Sequence, residues 1–84
     1  MAFVLKIKSK AEKKINALND KDYARVMQIL SAIKEDPFFY GKKLHGKHQD
    51  EYSVRVWPFR ILYKIYKKEL IISVIDVGHR QGVY

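Results

Sequence analysis

Residues 78–84 read Gly-His-Arg-Gln-Gly-Val-Tyr, so an imidazole, a guanidinium and a phenol fall within one short stretch behind an apolar run. Two more arginines, Arg55 and Arg60, flank the Trp57-Pro58 break between two β-rich runs. A guanidinium offers a planar fork of N–H donors that matches a phosphate, and it stays charged at physiological pH. Arg55, Arg60 and Arg80 gathered at one corner would therefore bind a phosphate. With water excluded, they would also stabilise the charge that collects on phosphoryl oxygens in a transition state. Tyr84 adds a phenol, a poor base at its ordinary pKa of about 10 unless neighbouring cations lower it. Its ring alternatively offers a face on which a nucleobase stacks, and a fraying chain end is the plainer reading. His79 titrates near neutral pH and suits proton transfer, but the sequence shows it no partner, which makes it a secondary candidate.

Those groups need a scaffold that brings them together. A chain of 84 residues has room for one domain, taken as residues 1–84, which buries only a little over half of its extended surface. The 48% hydrophobic and 13% aromatic content supplies a core and argues against disorder. With 17 Lys and Arg against nine Asp and Glu, the net charge of +8 suits a polyanionic partner, nucleic acid or an acidic protein, and also serves solubility. The absence of cysteine excludes disulfides, thiolate nucleophiles and cysteine-based zinc sites, and is compatible with a reducing compartment. Lys6 and Lys8 interrupt the apolar start Phe3-Val4-Leu5, so neither a signal-peptide core nor a membrane span is read, and a soluble cytoplasmic protein is expected.

Along the chain, residues 2–8 alternate Phe3, Leu5 and Ile7 with Val4, Lys6 and Lys8, the period of a half-buried strand. Ser9 stands three residues before Glu12, a capping-box spacing that predicts a helix over 10–18 with Ala11, Ile15 and Leu18 on one face. Asp20 is the expected N-cap of a second helix, whose stripe of Tyr23, Val26, Met27, Leu30 and Ile33 runs to about Glu35, before Pro37. Together they form an αα-hairpin. Residues 36–51 show no sustained period and read as a long loop rich in Gly, Lys and His. His45 and His48 within it lack a third ligand, so no metal site is read there.

Residues 52–57, 59–66 and 70–77 are three β-rich runs. The breaks between them are too short for parallel crossovers, so they form an antiparallel meander. The fold class is α+β: an N-terminal strand, an αα-hairpin, and a three-stranded meander packed under the helices. Folding the first hairpin about Trp57-Pro58 sets Arg55 opposite Arg60. Folding the second about Lys68 sets Arg60 opposite residues 75–77, so that Arg80 emerges beside Arg60. Alternation turns Val54, Val56, Ile61, Tyr63 and Ile65 toward the helices and the two arginines toward the uncovered face. Like charges directly opposite each other are unfavourable by up to about 1 kcal/mol, which favours an anionic ligand between them.

This order of elements, with Tyr63 after Arg60-Ile61-Leu62 and with Gly78-His79-Arg80 and Tyr84 near the end, resembles the RelE/ParE superfamily of toxins from type II toxin–antitoxin pairs. In its RelE branch the resemblance implies a ribosome-dependent mRNA endoribonuclease that needs no metal or other cofactor. There the ribose 2′-hydroxyl attacks the adjacent phosphate, leaving a cyclic phosphate and a 5′-hydroxyl. By matching position, Arg60 and Arg80 would hold and neutralise the phosphate and Tyr84 would be the catalytic or orienting tyrosine. Arg55, Lys42, Lys43, Lys47 and His79 would bind RNA. Ser53 stands where the best-known RelE members carry another basic residue, which Lys42, Lys43, Lys47 or His79 would replace. The implied partners are an acidic, partly disordered antitoxin and the ribosome with its message, with no membrane and no small-molecule cofactor. The ParE branch shares the fold but inhibits DNA gyrase, so a gyrase inhibitor and an inactive binding member of the same fold are the alternatives.

Overall fold

The computed structural model describes residues 3–44 and 51–79. Its elements run β1 (Val4–Ile7), α1 (Ser9–Asn16), α2 (Asp20–Glu35), α3 (Pro37–Tyr40), β2 (Lys42–Lys43), β3 (Glu51–Val56), β4 (Phe59–Tyr66) and β5 (Ile71–His79). One five-stranded sheet has the order β1-β5-β4-β3-β2. The expected meander is its centre, and all of its pairs are antiparallel. The first strand joins at the far edge and runs parallel to β5, with Val4 opposite Ile71 and Ile7 opposite Val74.

The helices cover one face. Ala11 and Ile15 of α1 and Val26, Leu30 and Ile33 of α2 are buried against Val54, Val56, Ile61, Tyr63, Ile65, Ile72, Val74 and Val77. That set contains every strand residue that alternation assigns to the helix side, so burial of the apolar stripes holds the layers together. The α2 stripe is graded: Val26, Leu30 and Ile33 are inside, Met27 is half-buried and Tyr23 is exposed.

Local signals were overruled at several points. The Ser9–Glu12 capping box does not form: Lys8 is the cap residue, its side chain makes no capping bond, and the Glu12 N–H bonds the Lys8 carbonyl. The sheet decides this, because the Lys8 N–H is committed to the Val74 carbonyl and the helix must start at the next residue. At α2 the cap is Asn19 rather than Asp20; its side chain accepts the Asp22 N–H at 2.8 Å, leaving Asp20 and Asp22 in the first turn where the helix dipole favours them. The segment 36–51 is not all loop, since it contains α3 and β2.

A bulge alters the register that matters most. With Tyr66 opposite Ile71, uninterrupted pairing would put Val77 opposite Arg60. The shift between Leu62 and Tyr63 inserts one extra residue in β5, and Gly78 takes that place instead of residues 75–77. The same insertion changes the alternation, so that Ile72, Val74 and Val77 all meet the core.

Candidate functional site

The hairpin between β3 and β4 turns through Trp57 and Pro58, joined by a cis peptide bond. So short a turn leaves no freedom of register, and Arg55 lies directly opposite Arg60. Arg55 is exposed and Arg60 half-buried, while their strand neighbours Val54, Val56 and Ile61 are inside. On its other side Arg60 faces Gly78, which has no side chain to compete for the space beside the guanidinium.

The other edge of β3 carries β2, with Lys42 opposite Ser53 and Lys43 opposite Tyr52. Nothing in the periodicity of the sequence marks these lysines as a strand. They are placed by the turn before them. Pro37 occupies the first position of α3, where its missing N–H costs no helical bond. Its carbonyl accepts the hydroxyl of buried Tyr63 at 2.6 Å. Gly41 then crosses directly over that phenol: a Cβ there would collide with the Tyr63 hydroxyl and would lie 2.8 Å from Cζ. The glycine is required for close approach, not for an unusual backbone angle, its φ being −103°. Burial first, and then the neighbouring Tyr52 phenol, hold the Tyr63 pKa well above the ordinary value, so this hydroxyl remains a donor. Tyr52 stacks on Tyr63 with ring centroids 5.7 Å apart, and Phe38 packs edge-on against Tyr52 at 6.0 Å, which pins α3 to the sheet.

The result is a concavity of about 580 Å³ with Lys42, Lys43, Arg55 and Arg60 in its wall. Tyr40, Leu44, Ser53 and Val54 are the other described residues of the lining, and no carboxylate is among them. Among the described residues, Lys42, Lys43 and Arg55 have no ion-pair partner. Four cations around one hollow suit an anion, by charge and, through the arginines, by the capacity for paired hydrogen bonds. The volume is within the range of about 300–1,000 Å³ typical of ligand sites.

Of the residues expected at the site, the structure brings together Arg55, Arg60, Lys42 and Lys43. His79 is the last position of β5, opposite Phe59 and therefore next to the Arg60–Gly78 pair. Lys47, Arg80 and Tyr84 lie outside the described residues, as do His45 and His48. Among the described residues no group of three His, Asp or Glu side chains is arranged to hold a metal. The sequence reading missed Tyr40 and the Pro37–Gly41–Tyr63 latch. A proline at helix position N1 followed by glycine is a detectable signal for a short helix, although here Pro37 registered only as the end of α2.

A family model described as the ParE toxin of the type II toxin–antitoxin system, parDE, matches residues 5–84. A chain of the toxin–antitoxin complex RelBE2 from Mycobacterium tuberculosis superposes with a TM-score of 0.85 at 21% identity, covering 95% of this chain and 93% of that one. The isolated RelE toxin of E. coli gives 0.83 at 24%, covering 93% and 84%. A chain of the archaeal RelE–RelB complex from Pyrococcus horikoshii OT3 gives 0.82 at 22%, covering 100% of both. These likenesses establish the fold. Comparison with curated proteins finds no match. Among the described residues no helix is long and apolar enough to cross a membrane.

Proposed function

The chain belongs to the ParE toxin family of type II toxin–antitoxin systems, and from that premise we propose that it is the toxin of such a pair and acts as a ribosome-dependent mRNA endoribonuclease. One observation carries this reading: Lys42, Lys43, Arg55 and Arg60 line a single concavity, and among the described residues no carboxylate lines it with them. A neutral ligand does not call for four cations around one hollow, whereas a positively charged groove suits the backbone of a single strand.

In the reaction, the ribose 2′-oxygen attacks the adjacent phosphorus, the bond to the 5′-oxygen breaks, and the products are a cyclic phosphate and a 5′-hydroxyl. The 2′-hydroxyl gives up its proton and the leaving oxygen gains one. Arg60 and Arg80 neutralise the phosphoryl oxygens as charge builds on them. Tyr84 orients the nucleophile or takes its proton. Arg55, Lys42, Lys43, Lys47 and His79 hold the strand. Support for the tail's part is the register: β5 delivers the chain to His79 beside Arg60, and Arg80 is the next residue.

The partner that restrains the toxin is an acidic, partly disordered antitoxin, for which a domain of charge +8 is well suited. Solved neighbours that are toxin–antitoxin complexes support the pairing. The cytoplasm, where ribosomes and message meet, is the proposed compartment.

The test is to incubate purified protein with programmed ribosomes and map the message ends. Cleavage leaving cyclic phosphate and 5′-hydroxyl ends is expected, and intact message at high concentration of folded protein would reject the proposal. The ParE description of the matched family supports a second reading, inhibition of DNA gyrase. Loss of supercoiling activity that survives both Arg80→Ala and Tyr84→Phe would establish it in place of the first.

A further inference from the structure

The concavity holds an aromatic ring that phosphate binding does not use. Tyr40 ends α3 and is 41% exposed at the rim, in the same wall as Lys42, Lys43, Ser53 and Arg55. It is held on both sides. Three residues before it, Pro37 is buried and bonded to Tyr63; immediately after it, Gly41 lies against the Tyr63 ring with no room for a side chain. Phe39 meets Tyr40 edge-on, with centroids 5.0 Å apart and planes at 86°, which sets the orientation of the ring.

Two other exposed rings are covered by cations. Lys64 covers Tyr66 at 5.4 Å from its centroid, and Lys67 covers Phe38 at 5.5 Å. Lys42 and Lys43 are two and three residues from Tyr40 and line the same hollow, but among the described residues no cation covers the Tyr40 ring. A fixed, uncovered ring beside a cluster of cations is the arrangement used to bind single strands, with the base stacked on the ring and the backbone on the charges.

We propose that Tyr40 is the stacking platform for one nucleobase of a single-stranded RNA whose phosphates lie against Lys42, Lys43, Arg55 and Arg60. This rests on the RNA reading of the concavity and adds to it a residue that contacts a base. The ring, not the hydroxyl, makes the contact, so the interaction tolerates any base and contributes affinity more than sequence choice.

The probe is a short single-stranded oligoribonucleotide with 2′-O-methyl riboses, which cannot be cleaved, carrying a fluorescent adenine analogue that is quenched on stacking. Wild type binds it with quenching. Tyr40→Ala weakens binding by roughly five- to a hundred-fold and abolishes the quenching, as expected for the loss of one base–aromatic stack. Tyr40→Phe keeps the affinity within about twofold, because the π-face is retained. Tyr40→Leu, which keeps bulk without a π-face, behaves as Tyr40→Ala does and serves if the alanine variant is poorly folded. The same oligonucleotide made abasic binds wild type and Tyr40→Ala equally. Equal affinity of wild type and Tyr40→Ala for the base-containing probe overturns the stacking role and leaves the RNA reading standing. No binding of either probe by wild type overturns both, and places the failure at the RNA reading. If polyglutamate binding falls on Tyr40→Ala as much as RNA binding does, the ring serves an acidic protein partner and the proposal is overturned.

Discussion

Under α1, Lys10 and Lys14 close on one carboxylate, whereas at the other end of the sheet Lys42, Lys43 and Arg55 line a hollow beside Arg60 with no carboxylate among its described residues. In the first region Asp76 is buried, with Lys14 at 2.8 Å and Lys10 at 3.4 Å. It also accepts the Val77 N–H at 2.9 Å. That carboxylate ties α1 to β5. In the second region Ser53 occupies the point in β3, opposite Lys42, where an acid would serve the same purpose. Both regions are basic by residue count, and among the described residues the difference between them is a carboxylate that pairs with the lysines of the first and with none of Lys42, Lys43 and Arg55 in the second. A cation paired within the fold supports structure, and Lys42, Lys43 and Arg55 are placed to meet a ligand.

The largest effects should separate the two regions cleanly. Arg60→Ala should lower message cleavage by about 10²–10³-fold, the usual effect of removing one donor to a developing oxyanion, measured in single turnover on programmed ribosomes. Asp76→Ala should do the reverse. It leaves the buried Val77 N–H without its acceptor and should reduce stability by about 1–3 kcal/mol in urea titrations, while cleavage per folded molecule stays unchanged. Similar losses of activity for both variants would remove the distinction between the regions.

Gly41→Ala links fold and site in a single change. The added methyl group meets the buried Tyr63 phenol, which cannot withdraw, and a destabilisation of about 1–3 kcal/mol is expected from such overpacking. Because Gly41 also sets the path into β2, RNA binding should weaken further than the loss of folded protein accounts for. Titrating RNA into the variant at a temperature where it remains folded checks this.

Much of this arrangement is legible in the sequence, and the parts that are not have physical causes. Period-two alternation over residues 59–66 places β4 residue for residue, and the two-residue break at Trp57-Pro58 forces Arg55 onto Arg60. The partner of β1 could not be read, because its parallel pairing with β5 closes a loop of more than sixty residues and no local signal encodes it. The bulge in β5 is equally silent, since no glycine marks it, and it moves Gly78 into the place where residues 75–77 were expected. Lys42 and Lys43 are recognisable as charge but not as strand. Their position depends on Tyr63, which is 20 residues away and is read from its own pattern only as a core aromatic. Tyr40 was invisible for the same reason, being the end of a helix too short to show a period.

Smaller effects sharpen the comparison further. Replacing Lys42 and Lys43 together by alanine should reduce the slope of log affinity for single-stranded RNA against log salt by about 0.7 per lysine. Replacing Lys10 and Lys14 should leave that slope unchanged, because they lie against Asp76 under α1 and do not line the concavity. The pH response has a definite sign. Burial disfavours the charged carboxylate of Asp76, but the bond and charge of Lys14, the Val77 N–H and Lys10 outweigh it and hold the pKa below the ordinary 3.8. A carboxyl group with a folded pKa below its unfolded one stabilises the fold fully above the unfolded value and loses that contribution as pH falls through the folded one. The stability gap between wild type and Asp76→Asn should therefore be constant near neutrality and shrink as the pH falls below about 3.8. A gap that widens on acidification would contradict the assignment.

The most direct test is to place a carboxylate among the described residues that line the concavity. Ser53→Glu introduces a carboxylate opposite Lys42 and within the lining that holds Arg55 and Arg60. At about 4 Å from a bound phosphate, with an effective dielectric constant of 20, such a charge opposes binding by about 4 kcal/mol. The account predicts an intact fold, with cleavage of message on programmed ribosomes reduced by about tenfold or more. Cleavage by the folded Ser53→Glu variant at the wild-type rate would contradict it.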